Sequence, residues 1–325
     1  MLLALLMCVP AWAENKLTES SDYQKGQEAV SAGNYSEGMR CFQLVLKDNP
    51  NNGYAWAWMS AIQFEIGENE RAINAGKLAL NLLPQQDAFF VGLVHNSLAR
   101  AYNDMGEKDK ALKEVTLCIQ TNPDNMEYYL MRAEFYLQED MYDKAQEDYR
   151  KIISVNPDDF MAQTGLGRCL SLEKRYDEAI EHFSKAIQID GRISNLYVLR
   201  ATCYVGKKSY WNAAKDYITA VKMDGNRHAV DAIKDCDDMC YRHLLTQLSE
   251  RAEEDRGGFD WYQCIAIAHY GHGHYEEAIE YFQKSMDRFG KNAETYLLVA
   301  ACYREIDNKN MARLYESMAE RIDSK

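Results

Sequence analysis

Tyr176–Asp190 reads YDEAIEHFSKAIQID, and Tyr275–Phe289 reads YEEAIEYFQKSMDRF. A small residue stands fourth in each, Ala179 and Ala278, and a ring follows four residues later, Phe183 and Phe282. Residues four apart share one face of a helix, so a small residue and a ring lie side by side there. The two stretches begin 99 residues apart, which is three steps of 34 less a deletion of three.

The same column runs through the rest of the chain. Small residues stand at Gly38, Ala72, Ala111, Ala145, Ala179, Ala213, Ala278 and Ala312, in steps of 34, 39, 34, 34, 34, 65 and 34. The step of 65 hides one degenerate unit, with Leu244 in the column. Rings follow at Phe42, Tyr149, Phe183, Tyr217 and Phe282. Four of the five prolines, Pro50, Pro84, Pro123 and Pro157, are spaced 34, 39 and 34 and sit where helical patterns stop. Gly191, Gly225 and Gly290 are expected to close later segments through a left-handed backbone.

The reading is a helical hairpin written nine times. First helices carry small residues such as Gly26, Ala99, Ala133, Gly167, Ala201, Ala266 and Ala300 at close crossings. Turns such as EIGEN, DMGEK and GHGHY follow, and a second helix packs back. A lone hairpin cannot bury its apolar face, so neighbours stack and share one core.

This pattern resembles the tetratricopeptide repeat. Trp56, Gly67, Ala72, Ala79 and Pro84 match that motif in one unit, and Leu98, Tyr102, Gly106, Ala111 and Pro123 match it in the next. Tyr176, Ala179, Phe183 and Ala186 match it in the opening stretch. The resemblance implies an all-α, right-handed superhelical solenoid of about nine stacked units over residues 19–325. Two departures stand out. About five extra residues near Gln85–Val91 are expected to distort or lengthen one junction. The unit at about 226–258 is degenerate, with a short first helix and CYRHLLTQLSERAEED as its second.

Such arrays bind a peptide or protein partner in a concave groove lined by first helices. Register places Tyr54, Ala57, Phe64, Leu93, Asn96, Arg100, Leu130, Glu134, Leu137, Met161, Arg168, Leu172, Val198 and Val205 along it. That lining suits an apolar segment whose acidic residue pairs with Arg100 or Arg168. The competing expectation is that these residues pack between helices. Some relatives clamp a C-terminal carboxylate with Lys and Asn. The corresponding positions here include Leu130, Glu134, Thr164 and Arg168, so that clamp is not expected.

Composition limits the remaining classes. Hydrophobic residues make up 47% of the 325, enough for a substantial core, and five prolines suit a mostly helical chain. The net charge is −13, and no Lys/Arg run could track phosphates, which argues against nucleic acid as a partner. MLLALLMCVPAWA, residues 1–13, reads as a secretory signal cut before Glu14, with 14–18 a short tail. The expectation is therefore a periplasmic, cell-envelope or secreted protein. A lipid anchor at Cys8 is disfavoured by Met7, which is not small. No apolar run is long enough for a transmembrane helix.

Two alternatives to a groove-binding scaffold are a metal-binding protein and a self-assembling structural protein. His269, His272 and His274 in HYGHGHY could hold a metal, as could Cys236, Cys240 and His243 on one helix face. A polar turn and a small-residue seam are the simpler readings, so no metal or other cofactor is expected. Cys169, Cys203 and Cys302 share one register. Packed helices lie about 8–10 Å apart, too far for a disulfide between the first two. These read as buried free thiols, which sit poorly with export. No nucleophile–base pair, phosphate loop or paired-carboxylate motif stands out, and the chain is not expected to be an enzyme.

Overall fold

The computed structural model describes residues 20–224, 238–254 and 260–323. The signal and tail expected at 1–18, Cys236, and the first helix of the degenerate unit lie outside these residues. Within them the chain forms seventeen α-helices and no strand. It divides into two compact units, Met1–Pro157 and Asp158–Lys325.

The N-terminal unit holds four hairpins. They are α1 (Ser21–Ser31) with α2 (Tyr35–Asp48), α3 (Gly53–Glu65) with α4 (Asn69–Leu82), α5 (Ala88–Asp104) with α6 (Lys108–Thr121), and α7 (Met126–Gln138) with α8 (Tyr142–Val155). The C-terminal unit holds α9 (Phe160–Leu172) with α10 (Tyr176–Ile189), α11 (Ser194–Gly206) with α12 (Tyr210–Asp224), α13 (Asp238–Glu254), α14 (Trp261–Gly271) with α15 (Tyr275–Phe289), and α16 (Ala293–Glu305) with α17 (Lys309–Asp323). Each helix packs against its hairpin partner, and within each unit second helices pack on the next first helix. α13 packs between α12 and α14. Each unit is thus a stack of helix pairs.

Each hairpin turn is the same local device. The backbone is left-handed at Gly33, Gly67, Gly106, Asp140, Lys174, Lys208, Gly273 and Asp307, with φ from 56° to 81°. The next residue donates its N–H to a carbonyl five residues back, as from Glu68 to Gln63 at 2.8 Å and from Ser209 to Tyr204 at 2.8 Å. This satisfies the last carbonyls of the first helix and reverses the chain. The four prolines each fall two residues beyond the end of a second helix, where no helical N–H is needed. Gly290 is left-handed, with φ 96°. Gly191 is not among the left-handed residues, which corrects the expectation for it, and Gly225 lies outside the described residues.

Small residues set the crossings. A Cβ built on Gly26 would stand 2.8 Å from the Phe42 ring, and one on Gly167 would stand 2.8 Å from the Phe183 ring. Phe42 and Phe183 are fully buried, as are Ala72, Ala145, Ala179, Ala213 and Ala278, and so is Leu244 in α13. The extra residues before Val91 lengthen α5 to 17 residues, against 13 in α3, α7 and α9. Asp87 caps it, its carboxylate accepting from the Phe90 N–H at 3.3 Å.

Candidate functional site

Positions 2, 5, 9 and 12 of a first helix fall on one stripe, so Met161, Thr164, Arg168 and Ser171 share a face of α9, continued by Leu172. The equivalent stripes differ between the two units, and each is described separately.

In the N-terminal unit α3 is apolar around its whole circumference, GYAWAWMSAIQF, and such a helix is core on every side. Tyr54, Ala57, Trp58 and Ala61 are all buried. The added turn of α5 closes over it. Phe90 meets Tyr54 edge-on at 4.8 Å and Trp58 edge-on at 6.1 Å, and Trp58 stacks on Phe42 at 6.0 Å. Phe42 in turn meets Tyr23 at 5.4 Å, and the Trp58 indole N–H donates to the Tyr23 hydroxyl at 3.0 Å. Burial pushes the Tyr23 phenol well above its ordinary value. These rings interlock three successive hairpins, offset and edge-on as aromatic quadrupoles prefer.

Five expected groove residues are therefore corrected. Tyr54, Ala57, Leu93, Asn96 and Leu137 are buried and belong to the helix packing; they present no open surface. The Asn96 Oδ1 is buried with no hydrogen-bond partner among the described residues. Arg100 is also committed internally. Its guanidinium donates to Glu65 at 2.9 Å and lies 4.2 Å above the centre of the Phe64 ring, so the acid it pairs belongs to the chain itself. Phe64 and Leu130 are half-buried, and half-buried Glu134 accepts from the Tyr149 hydroxyl at 2.6 Å.

In the C-terminal unit the stripe is open. Met161 is 50% and Leu172 55% exposed, and Arg168 is exposed between them. On the next first helix, α11, Val198 and Val205 are half-buried and Thr202 is exposed. This face carries one positive side chain, flexible apolar ones and small hydroxyls.

Sequence reasoning missed two buried ion pairs. Arg132 of α7 grips Asp148 of α8 with bonds of 2.8 and 2.7 Å, and Arg200 of α11 grips Asp216 of α12 with bonds of 2.7 and 2.8 Å. Hydrogen bonding to the carboxylate holds both guanidinium pKa values above their usual range. The signal was present: both pairs are Arg and Asp-Tyr at one spacing, two repeats apart.

The histidine loop is occupied by ring contacts. Tyr241 of α13 stacks on His272 at 4.0 Å and on His274 at 5.6 Å, and its hydroxyl lies 3.0 Å from His269 Nδ1. Among the described residues no three His, Cys, Asp or Glu side chains converge as metal ligands. Cys240 is buried, and His243 Nδ1 lies 2.8 Å from the Met239 carbonyl. Seven described cysteines, including Cys169, Cys203 and Cys302, are buried and form no disulfide. Desolvation raises the Cys264 and Cys302 thiols to about 12, which leaves them protonated and unreactive. No described helix is long and apolar enough to cross a membrane.

Family comparisons agree with this geometry. Two models described as tetratricopeptide repeat match the chain, one at residues 23–87 and 130–192 and the other at 94–125. Photosystem I assembly protein Ycf3 of Prochlorococcus marinus (strain NATL2A) is 33% identical over 93 residues, 27% of this chain and 54% of that protein. The chain therefore spans about half the length of this curated relative. A tetratricopeptide repeat protein from Parabacteroides merdae has a similar fold, with a TM-score of 0.51 and 19% identity over 90% of this chain and 97% of its own. YrrB, described as a tetratricopeptide protein with an unusual peptide-binding site, has a TM-score of 0.51 and 18% identity over 59% of this chain and 97% of its own.

Proposed function

Because the chain belongs to the tetratricopeptide repeat family, whose members are protein-interaction scaffolds, we propose that it is a non-catalytic adaptor whose partner docks on the first-helix face of the C-terminal unit. The observation that carries this reading is the exposure of Met161 and Leu172 on either side of Arg168. Large apolar side chains left in water favour a partner segment with apolar anchors. Methionine and leucine adapt to varied anchors, and stacked helices hold the face in place, so little ordering is needed on the scaffold side. The resemblance to an assembly protein over 93 residues supports an adaptor role.

Export is part of the proposal. It rests on the apolar run Leu2–Val9 followed by Ala11-Trp12-Ala13. The seven buried thiols do not oppose it strongly, since desolvated thiols are slow to oxidise.

The test places a photo-crosslinking residue at position 161 in the native cell and reads captured partners and the N-terminus by mass spectrometry. The expected result is one stoichiometric partner, lost in Arg168→Glu/Leu172→Glu but kept in Leu314→Glu, an exposed change on α17, with Glu14 as first residue. Equal capture by both variants would move the docking face elsewhere. An N-terminus at Met1 would remove export from the proposal and leave the docking reading standing.

A further inference from the structure

Most hairpin turns of the molecule are short polar links, but GHGHY is not. Its two imidazoles, with His269 from the end of α14, gather around one phenol at the seam between α13 and the α14–α15 hairpin. Tyr241 of α13 is buried, stacks nearly parallel on His272 and His274, and reaches His269 with its hydroxyl. His269 lies between that hydroxyl and a second ring, stacking on Tyr281 of α15 at 5.4 Å, and meets His274 edge-on at 6.1 Å. The His272 side chain is only 11% exposed.

We propose that this Tyr241–His269–His272–His274 cluster is a proton-sensitive joint, closed while His269 is neutral and loosened when His269 takes up a proton. The physical argument is charge confinement. A neutral His269 ring packs between the Tyr241 hydroxyl and the Tyr281 ring without desolvating a charge, whereas an imidazolium there is held half-buried, away from water.

The facing groups are mixed. α13 offers Asp238, whose carboxylate lies 3.5 Å from His272 Nδ1, and the Tyr241 phenol. α15 offers Glu277, Glu280 and Tyr281, but Glu280 is engaged by Lys284 at 2.7 Å. Asp238 is almost fully exposed, so water weakens its hold on His272. Burial comes first among the influences on His269 and lowers its pKa below the usual imidazole value, outweighing Glu277, while His274 and His272 push the same way as burial. A base with a lowered folded-state pKa binds fewer protons folded than unfolded. Its contribution to stability is whole above about pH 6.5 and declines as pH falls below it.

The experiment is amide hydrogen exchange on the full chain at pH 7.5 and pH 5.5, corrected for intrinsic rates, in wild type and in His269→Gln. Protection of residues 261–281 should fall in acid relative to α10 of the same unit, the direction a lowered folded-state imidazole pKa dictates. In His269→Gln that acid-dependent difference should largely vanish. Unchanged protection in acid, or the same loss in the variant, would overturn the joint. Should His269→Gln fail to fold, the His269 ring titration in wild type decides by NMR: a value below that of a free imidazole supports the joint, and one at or above it sinks the proposal.

Discussion

The first helices α3 and α9 are built to one plan and end differently. Both have 13 residues, both start from an Asn or Asp cap, and both are followed by a left-handed turn residue. Yet α3 is closed over by Phe90 from the lengthened α5, while Met161 and Leu172 of α9 stay in water. A repeat motif fixes the crossing of two helices. What covers the remaining face depends on the neighbouring helix, and a few inserted residues there turn an open face into core.

The contrast can be broken most severely at the closed face. Phe90→Ala should cost about 3–5 kcal/mol, because the ring is buried and its neighbours Tyr54 and Trp58 cannot collapse into the void. Chemical denaturation with exchange monitored per unit should show the loss in the N-terminal unit. Met161→Ala, by comparison, should change stability by less than about 0.5 kcal/mol.

A next test addresses the crossing that both units share. Ala179→Trp overfills the fully buried seam between α9 and α10 and should cost about 1–3 kcal/mol or more. An unchanged melting temperature would show that the crossing register is wrong.

The two arginines give the sharpest separation of packing from docking. Arg100→Glu sets a carboxylate against Glu65 and removes the cation from the Phe64 ring, at a cost of about 1 kcal/mol, without acting on a partner directly. Arg168→Glu should leave the melt within about 0.5 kcal/mol and weaken partner capture. If the two variants exchange these effects, the assignment of closed and open faces is reversed.

The smallest expected effect lies in the turns. Lys174 and Lys208 hold φ values of 62° and 59°, where Gly33, Gly67, Gly106 and Gly273 serve elsewhere. Lys174→Gly should raise stability by up to about 1 kcal/mol, the relief of left-handed strain being partly offset by a freer unfolded chain. The same change at exposed Lys185, inside α10, should lower it by a similar amount.

How much of this was readable varies with the range of the interaction. The column of small residues and rings, the prolines and the GEN and GEK turns located nearly every described hairpin, because each reports contacts inside one repeat. The Arg132–Asp148 and Arg200–Asp216 grips were also within one repeat and could have been found. Tyr54 could not be placed by register alone, since its burial comes from Phe90, one repeat away. Arg100 looked available because its partner, Glu65, sits on a different hairpin.

The sequence by itself determined the repeat, its period and the all-α class, since helix periodicity and turn chemistry are local and recur at each copy. Only the tertiary structure decided which first-helix face is filled and which is open, and that three histidines close on Tyr241. Both depend on side chains from neighbouring elements meeting in space, and the sequence spacing that brings them together differs at each junction.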